Sequence, residues 1–230
     1  MSSISKSNYS EYTTEALWDS YNNLLLSPDI TRIRKLMVRY DLFKLSLDIP
    51  GDILECGVFK GAGLFYWAKL LEIYSNNSVK NVIGFDTFKF FSTQLKSFEK
   101  KQAESFVDES NFDGISTKYL KETISNAKLS KRIKLVEGDL TETANKFSEN
   151  NPGFKISLLH IDVDTYEATK AILNNFYSHV SRGGVIIFDE YAVAGWGETD
   201  AADEFFQDKL NVEIKSIPYS EKPTAYVIKP

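Results

Sequence analysis

The chain reads as an open α/β sheet covered by helices on both faces, and three observations lead there. Past Pro50-Gly51, short apolar runs alternate with longer stretches of helical spacing. Several of those runs, ISLLHI and GVIIF among them, are apolar on both faces, as expected of parallel strands buried between helix layers. Each of the first five runs also closes on or near an acidic residue. The length, 230 residues, allows one sizeable domain with limited room for a second.

Residues 1–13 are rich in Ser, Thr and Tyr without periodicity and read as a loose arm. Leu17, Tyr21, Leu24 and Leu25 then recur at helical spacing. Ile33, Leu36, Met37, Tyr40, Phe43 and Leu47 do the same before the Pro-Gly breaker, so two helices are predicted. They set residues 1–50 apart as a helical extension of a body spanning 51–230, and they are the expected contact of a homo-oligomer. Strands are predicted over 53–58, 81–85, 133–137, 156–161, 184–188, 212–217 and 225–228. Helices are predicted over 63–74, 94–127, 141–148, 166–180 and 201–210. The stretch 89–130 exceeds what one crossover helix needs; its charged run FEKKQAESFVDES reads as a solvated helix face. Residues 89–117 are expected to form a lid insertion, together with the glycine-flanked tryptophan loop over 192–199.

Composition narrows the function. Hydrophobic residues make up 43% and charged residues 26%, ordinary globular usage that argues against a disordered, collagenous or disulfide-built chain. With 27 Lys+Arg against 32 Asp+Glu the net charge is −5, so no broad basic face is available for nucleic acid and a small-molecule ligand fits better. Cys56 is the single cysteine, and no Cys/His spacing of a zinc site occurs. The first residues are polar and no apolar run reaches the ~18 residues of a membrane span, so the cytoplasm is the expected compartment.

Open α/β sheets bind ligands beyond the carboxyl ends of their strands. The first strand runs Glu55-Cys56-Gly57-Val58-Phe59-Lys60-Gly61-Ala62-Gly63 into a helix, a glycine turn that lets a ligand approach the backbone. Its spacing is not G-x-G-x-x-G, which disfavours an NAD-type oxidoreductase and suits a ligand bearing a carboxylate. The second ends Gly84-Phe85-Asp86, where Asp86 is placed to accept ribose hydroxyls. The third ends Glu137-Gly138-Asp139, where Asp139 either accepts from an adenine amino group or caps a helix. In the fourth, Asp162 and Asp164 project to one side by strand alternation, a like-charge pair that calls for a cation or a shared proton. The fifth ends Asp189-Glu190. Neighbouring strand ends lie about 4.8 Å apart, so these acids can converge, and oxygen-only ligands favour Mg²⁺ or Mn²⁺. The bland alternatives are Asp164 or Thr165 as a helix cap and Asp189-Glu190 as a solvated loop. His160 reads as a base or a satisfied core residue, and Cys56 as a core filler.

These residues carry a resemblance. GDILECGVFKGAG, VIGFDTF, LLHIDVDTYEATKAILNNFYSHVSRGGVIIFDEY and GWGETDAADEFF occur in order over roughly residues 30 to 210 and resemble the macrocin O-methyltransferase (TylF-like) family of S-adenosylmethionine-dependent sugar O-methyltransferases. The resemblance implies a class I methyltransferase (Rossmann-like) sheet with an antiparallel last strand, S-adenosylmethionine as donor, and a Mg²⁺ ion that orients a sugar hydroxyl. Glu55, Gly57 and Gly61, with Cys56 and Val58 in the same turn, are then expected at the methionine end. Asp86, followed by Thr87 and Phe88, takes the ribose, and Asp139 beside Gly138 the adenine. Asp162, Asp189 and Glu190 hold the metal, Asp162 also bordering the donor. Asp164 is the expected base, with Asp162 and His160 as alternatives. Phe88, Phe90, Phe91, Tyr191 and Trp196 are expected to wall the acceptor, a small-molecule sugar. The chain departs from the family in having Asp189-Glu190 for the common Asp-Asp, and Lys89-Phe90-Phe91 for a Gly-Leu-Pro-like continuation. A phenolic or other small acceptor, and a non-catalytic partner protein of the same fold, are the competing readings.

Overall fold

In the computed structural model, residues 13–89, 91–92, 94–110 and 115–230 are described; nearly all of the expected N-terminal arm, Phe90 and part of the expected lid lie outside them. Two helices come first, α1 (Thr14–Leu26) and α2 (Thr31–Ser46). The sheet is then built by β1 (Asp52–Cys56), α3 (Ala62–Tyr74), β2 (Val82–Asp86), α4 (Ser97–Ser110), α5 (Thr117–Asn126), β3 (Ile133–Glu137), α6 (Leu140–Asn150) and β4 (Ile156–Ile161). It closes with α7 (Tyr166–Phe176), β5 (Val180–Phe188), α8 (Glu198–Phe206), β6 (Lys215–Ser216) and β7 (Ala225–Ile228). Strand order is β3-β2-β1-β4-β5-β7-β6. The first five strands are parallel, and β7 runs antiparallel to both of its neighbours. The order turns back between β1 and β4, which puts a crevice above those two strand ends.

Strand alternation divides the core into two layers. Leu158, Val185 and Ile187 join Val38, Phe43, Leu64, Trp67 and Leu120 on the face covered by α2, α3 and α5. Leu159, Ile186 and Phe188 join Ala144, Ile172, Phe176 and Phe206 on the face covered by α6, α7 and α8. Both layers are buried, hence the two-sided apolar runs. α2 is therefore packed on the sheet, whereas α1 buries none of its side chains.

Several boundaries differ from the sequence reading for local reasons. The single helix expected over 94–127 is two, and α5 has its own start at Ser116, whose hydroxyl accepts the Tyr119 N–H at 3.1 Å. The helix expected to reach residue 180 stops at Phe176 and passes through a 3₁₀ turn, because Val180 is claimed by the ladder opposite Ile156. The expected 212–217 strand shrinks to Lys215–Ser216, an edge pair with one neighbour. Gly57 sets how closely β1 and β4 approach. At φ +95° its backbone leaves no room for a side chain, since a Cβ there would meet the Asp162 carbonyl oxygen at 1.8 Å.

Asp139 opens α6. One oxygen accepts the Thr141 N–H at 2.9 Å and the Thr141 hydroxyl at 2.8 Å, and the other accepts the Ser92 hydroxyl at 2.6 Å. Partial burial pushes this carboxyl up, but the three bonds outweigh it and hold it below the usual aspartate range. A depressed folded-state value means stability that is present above the ordinary aspartate value, about 3.9, and lost as pH falls through the lowered one. Asp139→Ala is thus expected to cost about 1 kcal/mol at neutral pH. Urea melts in strong acid should show that difference fading, and a penalty undiminished in acid would contradict the assignment.

Candidate active site

A cavity of about 750 Å³ opens at the carboxyl ends of the parallel strands. Its wall takes Glu55, Gly57 and Val58 from the first turn, Asp86 and Thr87 from the second, Gly138 and Asp139 from the third, and Asp162 to Thr165, Asp189 and Glu190 from the fourth and fifth. α2 contributes Arg32, Lys35, Leu36 and Arg39, and the segment before β7 contributes Lys222. Most of the expected site residues are therefore brought together. Three are not. Cys56 faces the apolar layer under α6 and α7, where burial pushes its thiol well up. Phe88 is 5% exposed and belongs to the opposite layer. Gly61 sits off the wall, where a Cβ would face Leu120 and Phe65.

The end of the cavity at Asp86 is braced by hydrogen bonds within the chain. One oxygen of Asp86 accepts the Val58 N–H at 2.7 Å and the Phe59 N–H at 2.9 Å, and the other accepts the Phe88 N–H at 2.7 Å. Asp86 thereby braces the glycine turn of β1 as well as lining the cavity. Glu55 is 1% exposed, and its Oε2 has no hydrogen-bond partner. Its other oxygen is 4.0 Å from Arg39 Nη2 and 3.4 Å from His160 Nδ1, an ion-pair distance without hydrogen-bond geometry. Gly63 makes room for this carboxylate, for a Cβ there would meet Glu55 Oε1 at 2.0 Å.

At the other end the acids crowd. Asp189 and Glu190 are 1% and 3% exposed, so they are no solvated loop. Asp189 accepts from Lys35 Nζ at 2.9 Å and lies 3.3 Å from His160 Nε2. Burial pushes its carboxyl up, but the His160 bond and the Lys35 charge outweigh that and hold it well below the usual range. His160 is fully buried, which would lower its value, yet Asp189 and Glu55 outweigh burial and raise it. Asp162 lies 3.4 Å from Arg39 Nη2 and 3.7 Å from Lys35 Nζ. Glu190 pairs with Lys222 through Oε1, leaves Oε2 without a partner and is raised, mainly by burial. Asp164 is pushed well above the usual range by burial, then by Glu190 and Asp162.

Asp164 does not follow strand alternation, because β4 ends at Ile161 and Asp164 adopts φ +60°. Neither Asp164 nor Thr165 caps α7 through its side chain. The Tyr166 N–H is accepted instead by Glu99 Oε1 of α4, at 2.7 Å. Glu99 is fully buried, an exception in a run read as a solvated face. Among the expected acceptor aromatics, Phe91 lines the cavity and stacks on Trp196 at 5.6 Å. Tyr191 instead packs on Phe188 and donates to Asp203. Among the described residues, His160, Asp162 and Asp189 each offer one ligand atom within 4.8 Å of the others, a grouping that has His160 where Glu190 was expected.

Sequence reasoning missed Lys35, Arg39, Lys222, Glu99 and Glu198. Lys35 and Arg39 are four residues apart on a helix that was read only for its apolar stripe; that spacing was the available signal. Lys222 carried none.

A profile of the macrocin O-methyltransferase (TylF) family matches residues 32–220. The tetracenomycin-related 8-demethyl-8-(2,3-dimethoxy-alpha-L-rhamnosyl)-tetracenomycin-C 4'-O-methyltransferase of Streptomyces olivaceus is 24% identical over 148 residues, 63% of this chain and 54% of that protein. Mycinamicin III 3''-O-methyltransferase of Micromonospora griseorubida is 24% identical over 150 residues, 63% of this chain and 57% of that protein. The chain thus aligns with little more than half the length of these curated relatives. The apo structure of CalS11, a TDP-rhamnose 3'-O-methyltransferase of calicheamicin biosynthesis, superposes with a TM-score of 0.68 at 26% identity, covering 94% of this chain and 88% of that one. Sheet order, strand-end site and the profile over most of the chain agree: the protein belongs to the macrocin O-methyltransferase (TylF) family and has the class I methyltransferase fold.

Proposed function

We propose that the protein is an S-adenosylmethionine-dependent O-methyltransferase acting on a sugar hydroxyl of a small molecule, with Mg²⁺ or Mn²⁺ held at the acidic end. The observation that carries this reading is one cavity in which, among the described residues, two buried carboxylate oxygens lack a partner, Glu55 Oε2 on the first strand and Glu190 Oε2 after the fifth. Burying a carboxylate oxygen without a donor is costly, so each of the two fits a cationic ligand. In this reading Glu55 takes the donor's α-ammonium, Asp86 the ribose and Asp139 the adenine. At the acidic end, Asp162, Asp189 and Glu190 offer the oxygen ligands that hard divalent ions take. Two of the three named relatives carry a rhamnose in their names, which favours a sugar over a phenolic acceptor.

In this reading the donor supplies a methyl group on a sulfonium, and the cation, when bound, orients the sugar hydroxyl and lowers its pKa. The chain's own residues do the rest. The turns of β1 and β2 fix the donor so that in-line attack starts from near-attack distance. Asp164 accepts the hydroxyl proton. Burial raises it most, then the charges on Glu190 and Asp162, so a cation held by those two would shift it down toward the ionised form a base needs. His160 is fully buried with Nε2 turned to Asp189, so it orients that ligand and is not the base. α4, anchored on α7 by Glu99 and on Trp196 through Phe91, forms part of the lid. α1 exposes Leu17, Trp18, Tyr21, Leu25 and Leu26, a stripe fitted to a second copy of the chain.

Calorimetry with S-adenosylhomocysteine should show Asp86→Ala weakening binding about tenfold to a hundredfold, the loss of a charge-assisted hydrogen bond. Hydrogen exchange in α4 should slow on the same addition; wild-type affinity, or unchanged exchange, would remove the ribose and lid assignments respectively. Chelation should abolish methyl transfer to sugar acceptors while leaving donor binding nearly intact, and Asp164→Asn should lose turnover yet keep the ion. Full activity after exhaustive chelation would sink the metal mechanism. Sedimentation should give an oligomer for the wild type and a smaller species for a Leu17→Glu/Tyr21→Glu variant; a wild-type monomer would refute the stripe's assignment.

A further inference from the structure

We propose that Glu198, the first residue of α8, is a positioning residue of the methyl-transfer site: it locks the loop carrying Asp162 and Asp164 to the loop carrying Asp189 and Glu190. The proposal rests on the reading above that these carboxylates hold a divalent cation. Its own support is geometric. The backbone N–H of Glu198 donates to the Asp164 carbonyl at 3.2 Å, beside a parallel bond from Gly197 N–H at 3.1 Å. The Glu198 side chain turns the other way, and its Oε1 accepts the Glu190 N–H at 2.8 Å. One residue thus holds the left-handed Asp164 backbone, at φ +60°, and the backbone of Glu190.

Glu198 is fully buried. A glutamate in a first helical turn serves its helix from the surface through the macrodipole, so burial is not required for that purpose. Turned inward, it adds a link between the two loops beyond the last backbone bond between these strand ends, from the Asp189 N–H to the Ile161 carbonyl at 3.0 Å. Gly197 permits the approach. A Cβ there would meet Glu99 Oε1 at 2.3 Å and the Tyr166 nitrogen at 2.7 Å, so the start of α8 sits directly against the start of α7. A clamp of this kind determines how far apart the two pairs of acids stand, which determines whether one cation can be reached by both.

The test compares three variants of the full chain, using Mg²⁺ alone and S-adenosylhomocysteine alone as titrants in calorimetry. Glu198→Gln keeps an oxygen at the same reach, Glu198→Asp keeps the charge but shortens the reach, and Glu198→Ala removes both. The clamp requires Mg²⁺ affinity within about fivefold of wild type for Gln and at least tenfold weaker for Asp and Ala, with the S-adenosylhomocysteine affinity unchanged throughout. Wild-type Mg²⁺ affinity in Asp and Ala, or a Gln variant as weak as Ala, overturns it. If the wild type itself takes up no Mg²⁺, the metal reading fails separately, and the clamp is decided by hydrogen exchange at the Glu190 amide. Protection in wild type and Gln with loss in Asp supports it, and equal exchange in all three refutes it. Asp and Gln carry the test even if Ala does not fold.

Discussion

Like-charge crowding at two neighbouring strand ends is the constraint around which the rest of this molecule is arranged. Asp162, Asp164, Asp189 and Glu190 end β4 and β5 or follow them directly, and Glu55 and Glu198 lie behind them, both fully or almost fully buried. Such a group is unstable in a low-dielectric site unless cations or protons compensate it. Lys35, Arg39 and Lys222 supply part of that compensation, each from outside the strands. They do not suffice: Asp164, Glu190 and Glu198 all remain raised by burial, and Glu190 and Glu198 each keep an oxygen without a donor. Among the described residues the site is unfinished in charge, which is the ground on which a further cation is proposed there.

The compensation ties the binding site to elements far away in sequence. α2 places Val38, Leu42 and Phe43 in the core and, on an adjacent face, Lys35 and Arg39 against Asp189 and Asp162. Arg34 and Asp41 of the same helix reach Glu221 and Tyr219, neighbours of Lys222, so α2 and the segment before β7 support each other beside the acids. The glycine turn of β1 depends in the same way on Asp86 of the next strand. Loss of packing in either place would be felt as a change of charge balance in the cavity.

How much of this was legible in the sequence follows from the range of the interactions. Strands buried on both faces announce themselves by uninterrupted apolar runs, and strand-end acids by their position in those runs, so the sheet and most of the cavity wall were readable. Cys56 and Phe88 were assigned to the wall because they neighbour wall residues in the chain, but alternation and a positive φ turn them into the core. Lys222 and Glu99 left no trace, because their roles consist of contacts across 32 and 67 positions that no local period encodes. The α1 spacing was readable as a helix, and among the described residues none of its side chains is buried.

The two ends of the cavity also differ in how they are preorganised, which bears on the order in which they fill. Around Asp86 and Asp139 every polar contact is made to backbone N–H groups or short hydroxyls, so these oxygens stand in place without a ligand. Around Asp162 and Glu190 the partners are long lysine and arginine side chains, which lose rotamer freedom while they hold the acids and regain it when displaced. In the proposed reading a nucleoside at the first end meets fixed acceptors, whereas a cation at the second meets carboxylates that lysine and arginine already hold. In that reading the donor's acceptors are already set while the acidic end has to exchange its cations, so donor binding before assembly of the acidic end is the order the packing favours.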